Sequence, residues 1–208
     1  MEPELAGRRD LGSEQVRLTL ASTSPQRRAI LEQLAIPFEV VAPDYAEEDP
    51  PDADPVELVT RHAEGKARSV HSAGRLTLGV DTTVVLDGRV YGKPADADDA
   101  ARMLRALSGR THTVASGLCL LGAPEEVVAH ELTGVIFRRL ASAAIVDYVR
   151  SGEWQGRAGG YAIQGLGGRL VASIEGDYLN VVGLPGALLV SLLEEHAPRL
   201  LDLRSSVD

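Results

Sequence analysis

Leu18-Thr19-Leu20-Ala21-Ser22-Thr23-Ser24-Pro25-Gln26-Arg27-Arg28 is the stretch around which the rest of the chain is ordered. Val16, Leu18, Thr19 and Leu20 are aliphatic or β-branched and read as a buried strand. Hydroxyls follow, and Pro25 stands where the first residue of a helix belongs. Ser24 is a good N-cap, because its side-chain oxygen accepts from an orphan N–H of the first turn. Proline suits that turn because its missing N–H has no helical partner there. Free N–H groups, the positive end of the helix dipole and two guanidinium forks together describe an anion cradle suited to phosphate. The same residues also suit an ordinary strand-to-helix turn carrying surface arginines.

Outward from this stretch, 208 residues are enough for one sizeable domain. A hydrophobic content of 44% with 25% charged residues is that of a soluble globular protein. The formal net charge of -9 argues against a sequence-blind grip on a nucleic-acid polymer, so phosphate binding has to come from a local basic cluster. Cys119 is the single cysteine, which excludes an internal disulfide and a Cys-rich zinc site. No signal peptide or long apolar run points to secretion or to a membrane, and the cytoplasm is the expected location.

Residues 1–16 read as a flexible leader, 17–200 as one domain and 201–208 as a tail. Ala29, Ile30, Leu31 and Leu34 give the first helix an apolar face, and Phe38-Glu39-Val40-Val41 reads as a second strand. An acidic, proline-rich loop follows over residues 43–52. Asp54-Pro55-Val56-Glu57 starts a helix that the pattern carries to about Ala73, with Lys66 in its second half. Residues 76–86 read as a buried strand or strand pair, and Asp87-Gly88 as a hairpin turn leading back through Arg89 to Gly92. Asp96 caps a helix with Ala100, Met103, Leu104 and Leu107 on one face, ended by Gly109. Residues 111–121 and 127–137 form a long hairpin, and 141–150 a helix. Residues 156–168 are a glycine-rich loop, 170–175 a strand and 185–195 a closing helix. This order is mixed α and β without the regular alternation of a doubly wound fold.

Asp81 interrupts an apolar strand, and a carboxylate there needs a partner or a task. Glu47 and Glu48 offer a second acidic centre, and Arg27, Arg28, Lys66 and Lys93 are the candidate cations. Carboxylate oxygens with a cationic cluster are what a magnesium–polyphosphate site requires. A structural reading stands beside this one, with Asp81 capping a turn and the lysines solvated. There is no GxxxxGK[ST] phosphate loop, and Gly165-Leu166-Gly167-Gly168 does not open a helical pattern. His62, His71, His112, His130 and His196 lack metal-type spacing and read as surface or structural. No GxSxG elbow surrounds Ser22 or Ser24, so capping accounts for them better than nucleophilic chemistry.

Several segments together resemble the Maf family of nucleoside triphosphate pyrophosphatases. They are Leu20 through Arg28, Gly79-Val80-Asp81-Thr82-Thr83-Val84-Val85, Gly92-Lys93-Pro94, Leu107-Ser108-Gly109-Arg110-Thr111-His112, Ala158 through Gly167, and Val182-Gly183-Leu184-Pro185. They occur in family order over nearly the whole chain. The resemblance implies a mixed α/β fold of the inosine triphosphate pyrophosphatase kind, an elongated twisted sheet flanked by helices, with two lobes and a central cleft. It implies hydrolysis of a nucleoside triphosphate to the monophosphate and pyrophosphate, assisted by a divalent cation such as magnesium, manganese or cobalt. By motif, Asp81 falls on the general base, Ser24, Arg27, Lys66 and Lys93 on phosphate-binding positions, and Glu47 with Asp81 on the metal side. Ser22, Gln26 and Arg28 belong to the same substrate-binding stretch. Thr82 and Gln164 resemble the branch of dTTP/UTP pyrophosphatases. Many members of that branch carry arginine after Pro25, where this chain has Gln26, which implies a broader base preference. The expected partner is the nucleotide, with a homodimer as the candidate assembly. A nucleotide-binding regulator without turnover and a cell-division interaction protein are the alternatives; the intact Asp81, Lys66, Lys93 and Glu47 set disfavours the first, and the absence of heptads or a large amphipathic segment the second.

Overall fold

The computed structural model describes residues 17–50, 53–122 and 126–202. The expected leader, Pro51 and Asp52 of the acidic loop, and residues 203–208 of the tail lie outside them. Leu201 ends a short 3-10 turn, Pro198–Leu201, and packs against the core beside buried Leu200.

Among the described residues, seven strands and six α-helices build a mixed α/β molecule. In chain order they are β1 (Leu18–Ala21), α1 (Pro25–Gln33), β2 (Phe38–Val41), α2 (Pro55–Val70), β3 (Leu76–Leu86), β4 (Arg89–Tyr91) and α3 (Ala97–Leu107). Then follow β5 (Thr111–Leu121), β6 (Val127–Phe137), α4 (Ser142–Arg150), β7 (Val171–Glu175), α5 (Tyr178–Val182) and α6 (Gly186–His196). Residues 76–86 are one continuous strand, and α2 stops at Val70, three residues before its expected end. His71 there turns extended, and its Nδ1 lies 3.0 Å from Thr77 Oγ1. The glycine-rich segment contains two 3-10 turns, Ala158–Gly160 and Leu166–Leu170. Helix α5 was not foreseen. It is five residues long, Asp177 caps it, and its Tyr-Leu-Asn-Val-Val sequence carries no helical period.

The strands form one sheet in the order β2-β1-β3-β5-β6-β7. β1 lies parallel to both β2 and β3, and the remaining pairs are antiparallel. The decisive detail is on one edge of β3. β1 pairs with Leu76 through Gly79 and β4 with Val84 through Leu86, while β5 runs along the opposite edge from Thr77 to Val85. Among the described residues no strand therefore lies beside 80–83 on that edge, and the sheet splits there.

Two apolar clusters sit either side of this split. The first joins Leu18, Leu20, Leu76, Leu78, Val80, Leu118 and Leu120 to α1 and α6. The second joins Val84, Leu86, Val114 and Val135 to α3 and α4. Helix α2 covers the opposite face of the sheet, and it approaches closely because glycines lie beneath it. A Cβ on Gly79 would stand 2.0 Å from Ala63 O, and one on Gly117 2.3 Å from Val59 O. No helix among the described residues is long and apolar enough to cross a membrane.

Candidate active site

A cleft of about 390 Å³ opens at the split. Alternation along β3 sends Asp81 to the α2 face and Thr82 to the α1 face, so the cleft is reached from both. The glycine contacts bring α2 down until Lys66 Nζ lies 2.5 Å from Asp81 Oδ1 and 2.5 Å from Glu47 Oε1. The Lys66 and Asp81 side chains are 9% and 14% exposed, and Glu47 38%, so the cation is buried between carboxylates of which only one faces solvent freely. Partial burial works against the charge on Glu47, but the Lys66 ammonium outweighs it and holds that carboxyl below its usual range.

Glu47 comes from the acidic loop, which is strapped along one face of α2. The Tyr45 ring lies flush on Gly65, where a Cβ would stand 2.2 Å from Tyr45 Cε2. Tyr45 Oη is 3.0 Å from His62 Nδ1, and His62 Nε2 is 2.8 Å from Asp49 Oδ1. A carboxylate only accepts, so Nε2 donates in the contact with Asp49. Arg61 Nη2 donates to Glu48 O at 3.1 Å. His62 is thus structural and buried, within the surface-or-structural expectation, yet its contact with the site loop was not foreseen. The signal was its i, i+4 spacing from Lys66, which puts both on one helix face.

On the other face, the α1 stretch forms the wall that the sequence suggested. Ser24 caps α1 with Arg27 N 3.5 Å from its Oγ, and it donates to Gln26 Oε1 at 3.2 Å. Arg27 is buried and gives three of its five N–H groups to protein: Nε donates to Gly183 O at 2.9 Å, Nη1 to Ser22 Oγ at 3.2 Å and Nη2 to Thr82 Oγ1 at 3.3 Å. Burial lowers the Arg27 pKa while the charges of Asp81 and Glu47 raise it. Thr82 gives its one proton to Gly183 O at 3.2 Å, so Ser116, 2.9 Å away, donates to it. Ser22, Ser24, Gln26, Arg27 and Thr82 all line the cleft. Arg28 does not: it is exposed on α1 and turned away from the wall, as its step past Arg27 on a helix requires.

The far wall is the glycine-rich segment. Gln164 lines it as expected, and Lys93 stands exposed at the rim. Arg157 lines it too, with its Nε buried and without a hydrogen-bond partner among the described residues, and sequence reasoning passed it over. A lone cation inside a glycine-rich run was the available signal. A smaller cavity of about 230 Å³ adjoins the first and shares Glu47, Asp81, Thr82 and Lys93 as walls.

Among the described residues no three of His, Cys, Asp and Glu converge as a metal cage. Two carboxylates at one cation, Glu47 and Asp81, are nevertheless the donor set suited to a hard divalent ion that keeps waters and takes substrate phosphate oxygens.

The profile of one family, described as Maf-like protein, matches residues 17–196. A dTTP/UTP pyrophosphatase of Nitratidesulfovibrio vulgaris is 50% identical over 84% of this chain and 85% of that protein. One of Gloeobacter violaceus is 46% identical over 89% and 98%, and one of Pyrococcus furiosus 40% over 86% and 94%. Among solved structures, a HAM1 protein from Coxiella burnetii aligns with a TM-score of 0.42 and 18% identity over 60% of this chain and 74% of that one.

Proposed function

Because the chain belongs to the Maf-like protein family, we propose that it is a nucleoside triphosphate pyrophosphatase acting on dTTP and UTP. The observation that carries this reading is Lys66 held at 2.5 Å from both Asp81 and Glu47 at the split in the sheet, facing the capped start of α1. The phosphates lie against the α1 N-terminus, where N–H groups and the helix dipole favour negative charge. An ammonium has three protons. Lys66 gives two to its carboxylates and offers the third to a phosphate oxygen. Asp81 accepts a proton from the attacking water as its oxygen bonds to the α-phosphorus. The bond from the α-phosphorus to the bridging oxygen breaks in line, and pyrophosphate leaves with the electron pair, its charge offset by Lys93 and Arg157. Glu47 and Asp81 would hold a divalent cation, which would supply Lewis acidity toward the phosphoryl oxygens.

Gln164 reads the base edge with one donor and one acceptor group. Thr82 acts from the α1 wall through Arg27, since its hydroxyl is already occupied. Gln26 replaces a fixed charge near the ligand with a neutral amide, which broadens the preference toward CTP and modified pyrimidines. The substrate is a free nucleotide and not a polymer, in keeping with the net charge of -9. Residence in the cytoplasm and self-association as a homodimer belong to the same proposal.

The test is release of pyrophosphate from dTTP, UTP, CTP, GTP and 7-methyl-GTP with magnesium, manganese or cobalt. Pyrophosphate and a monophosphate are expected, with the uracil and thymine nucleotides preferred. A nucleoside diphosphate plus orthophosphate as main products would overturn the reaction. A guanine nucleotide as best substrate would overturn the base assignment alone.

A further inference from the structure

The Gln164 wall is held in place by a carboxylate that touches no part of the cleft. Glu153, in the turn after α4, accepts from Leu166 N at 2.9 Å through Oε1 and from Gly167 N at 2.8 Å through Oε2. Tyr148 Oη donates to the same Oε2 at 3.0 Å and accepts from Ala162 N at 3.1 Å. Backbone amides on both sides of Gln164 are thus tied to one Tyr–Glu pair. Between them Gly165 N donates to Ala162 O and Ile163 packs against the second apolar cluster, while no hydrogen bond among the described residues fixes the Gln164 amide itself.

The fit is tight. A Cβ on Gly165 would stand 1.9 Å from Glu153 Oε1, so the carboxylate occupies space that a side chain at 165 would take. Tyr148 is 5% exposed, its ring part of the second apolar cluster. That packing fixes where its hydroxyl stands. Burial works against the charge of Glu153, but its hydrogen bonds outweigh this and keep its carboxyl below the usual range.

We propose that Glu153, with Tyr148 as its relay, is a positioning residue for base selectivity, holding the 162–167 segment so that Gln164 meets the edge of a pyrimidine base. The inference rests on reading the cleft as a nucleotide site. A carboxylate is required because it accepts all three donors. A glutamine at 153 has one oxygen, and its NH₂ would face an N–H or the tyrosine proton. Discrimination by hydrogen bonding depends on the placement of the reading group, because a displaced amide no longer pairs with the matching edge.

The experiment measures dissociation constants for the α,β-methylene analogues of dTTP, UTP, CTP and GTP, which bind without being cleaved. The proteins are wild type, Glu153→Gln, Tyr148→Phe, Gln164→Ala and the two doubles with Gln164→Ala. Tyr148→Phe keeps the packed ring, so folding is retained, and near-ultraviolet circular dichroism checks it. Each clamp variant is expected to lose roughly fivefold of the ratio between thymine and guanine affinity, the size of one hydrogen bond. The guanine analogue should bind nearly as before, and neither substitution should change the ratio further once Gln164 is alanine. A merely structural role would weaken all four analogues alike. An unchanged ratio, an equal fall in the Gln164→Ala background, or no base preference in the wild type overturns the proposal. Failure of the pyrophosphatase reading looks different: natural triphosphates bind with base preference and release no pyrophosphate.

Discussion

Asp81, Lys66 and Glu47 form the smallest unit that chemistry at this site needs, and each can be tested by itself. Asp81→Asn keeps the volume but offers a neutral oxygen, so turnover should fall on the order of a hundredfold or more while the protein stays folded. Steady-state rates on purified protein decide it, and near wild-type turnover would make Asp81 structural. A second residue-scale prediction lies away from the cleft. His112 is 2% exposed between the Phe137 and Tyr161 rings, with Nε2 2.8 Å from Tyr161 Oη and Nδ1 unpartnered. Burial pushes its pKa down to about 4 from 6.5. The unfolded chain therefore takes up a proton that the folded one refuses. The stabilisation is complete above the unfolded value and is lost as pH falls from about 6.5 to about 4, amounting to roughly 3 kcal/mol. Urea unfolding at pH 7, 5 and 4 should show that loss, and His112→Phe should flatten it. At this scale much was legible: Asp81, Lys66, Glu47, Ser24, Gln26, Thr82 and Gln164 were named from sequence and all reach the cleft. What was not legible is commitment. Nothing local shows that Arg27 Nε is given to Gly183, 156 residues away, or that Arg28 turns outward.

At the scale of elements, capping and periodicity were readable because they are local. Ser24, Asp54 and Asp96 cap the helices they were expected to cap. Helix α5 escaped because five residues are too few to show a period. The approach of α2 to the sheet escaped for another reason: a glycine in a strand says that something lies close, not what. Here Gly79 and Gly117 meet the backbone of α2, and that contact sets where Lys66 stands relative to Asp81. Gly79→Ala has to lift the helix, because the obstructing atoms, Ala63 O and Ala67 N, are main chain. The overpacking should cost about 1–3 kcal/mol. Activity should suffer more than stability, since a displacement of about 1 Å at a catalytic pair can cost on the order of a hundredfold. Comparing kcat with the unfolding midpoint checks this; equal modest losses would mean that α2 position does not govern the pair.

For the whole molecule, the sequence led to a mixed α/β class but not to the order β2-β1-β3-β5-β6-β7, because pairing between distant strands leaves no local mark. The split sheet was equally hidden, since it depends on β1 and β4 meeting β3 at opposite ends. The two apolar clusters are joined by continuous strands: β3 gives Leu76, Leu78 and Val80 to one and Val84 and Leu86 to the other, and β5 divides likewise between Leu118 with Leu120 and Val114. The clusters should therefore unfold together. Leu104→Ala, in the second, should cost about 2–5 kcal/mol and shift one calorimetric transition. Two resolved transitions would show that the clusters are independent. The same continuity decides how the cleft can move. A linker between two bodies behaves as a hinge, swinging widely against little resistance. Two hydrogen-bonded strands crossing the cleft floor behave as a leaf spring, whose restoring force grows with every degree of twist. Such a site should yield slightly to its ligand and spring back when the products leave, with opening expected as a small elastic recoil and not a slow swing between two resting positions.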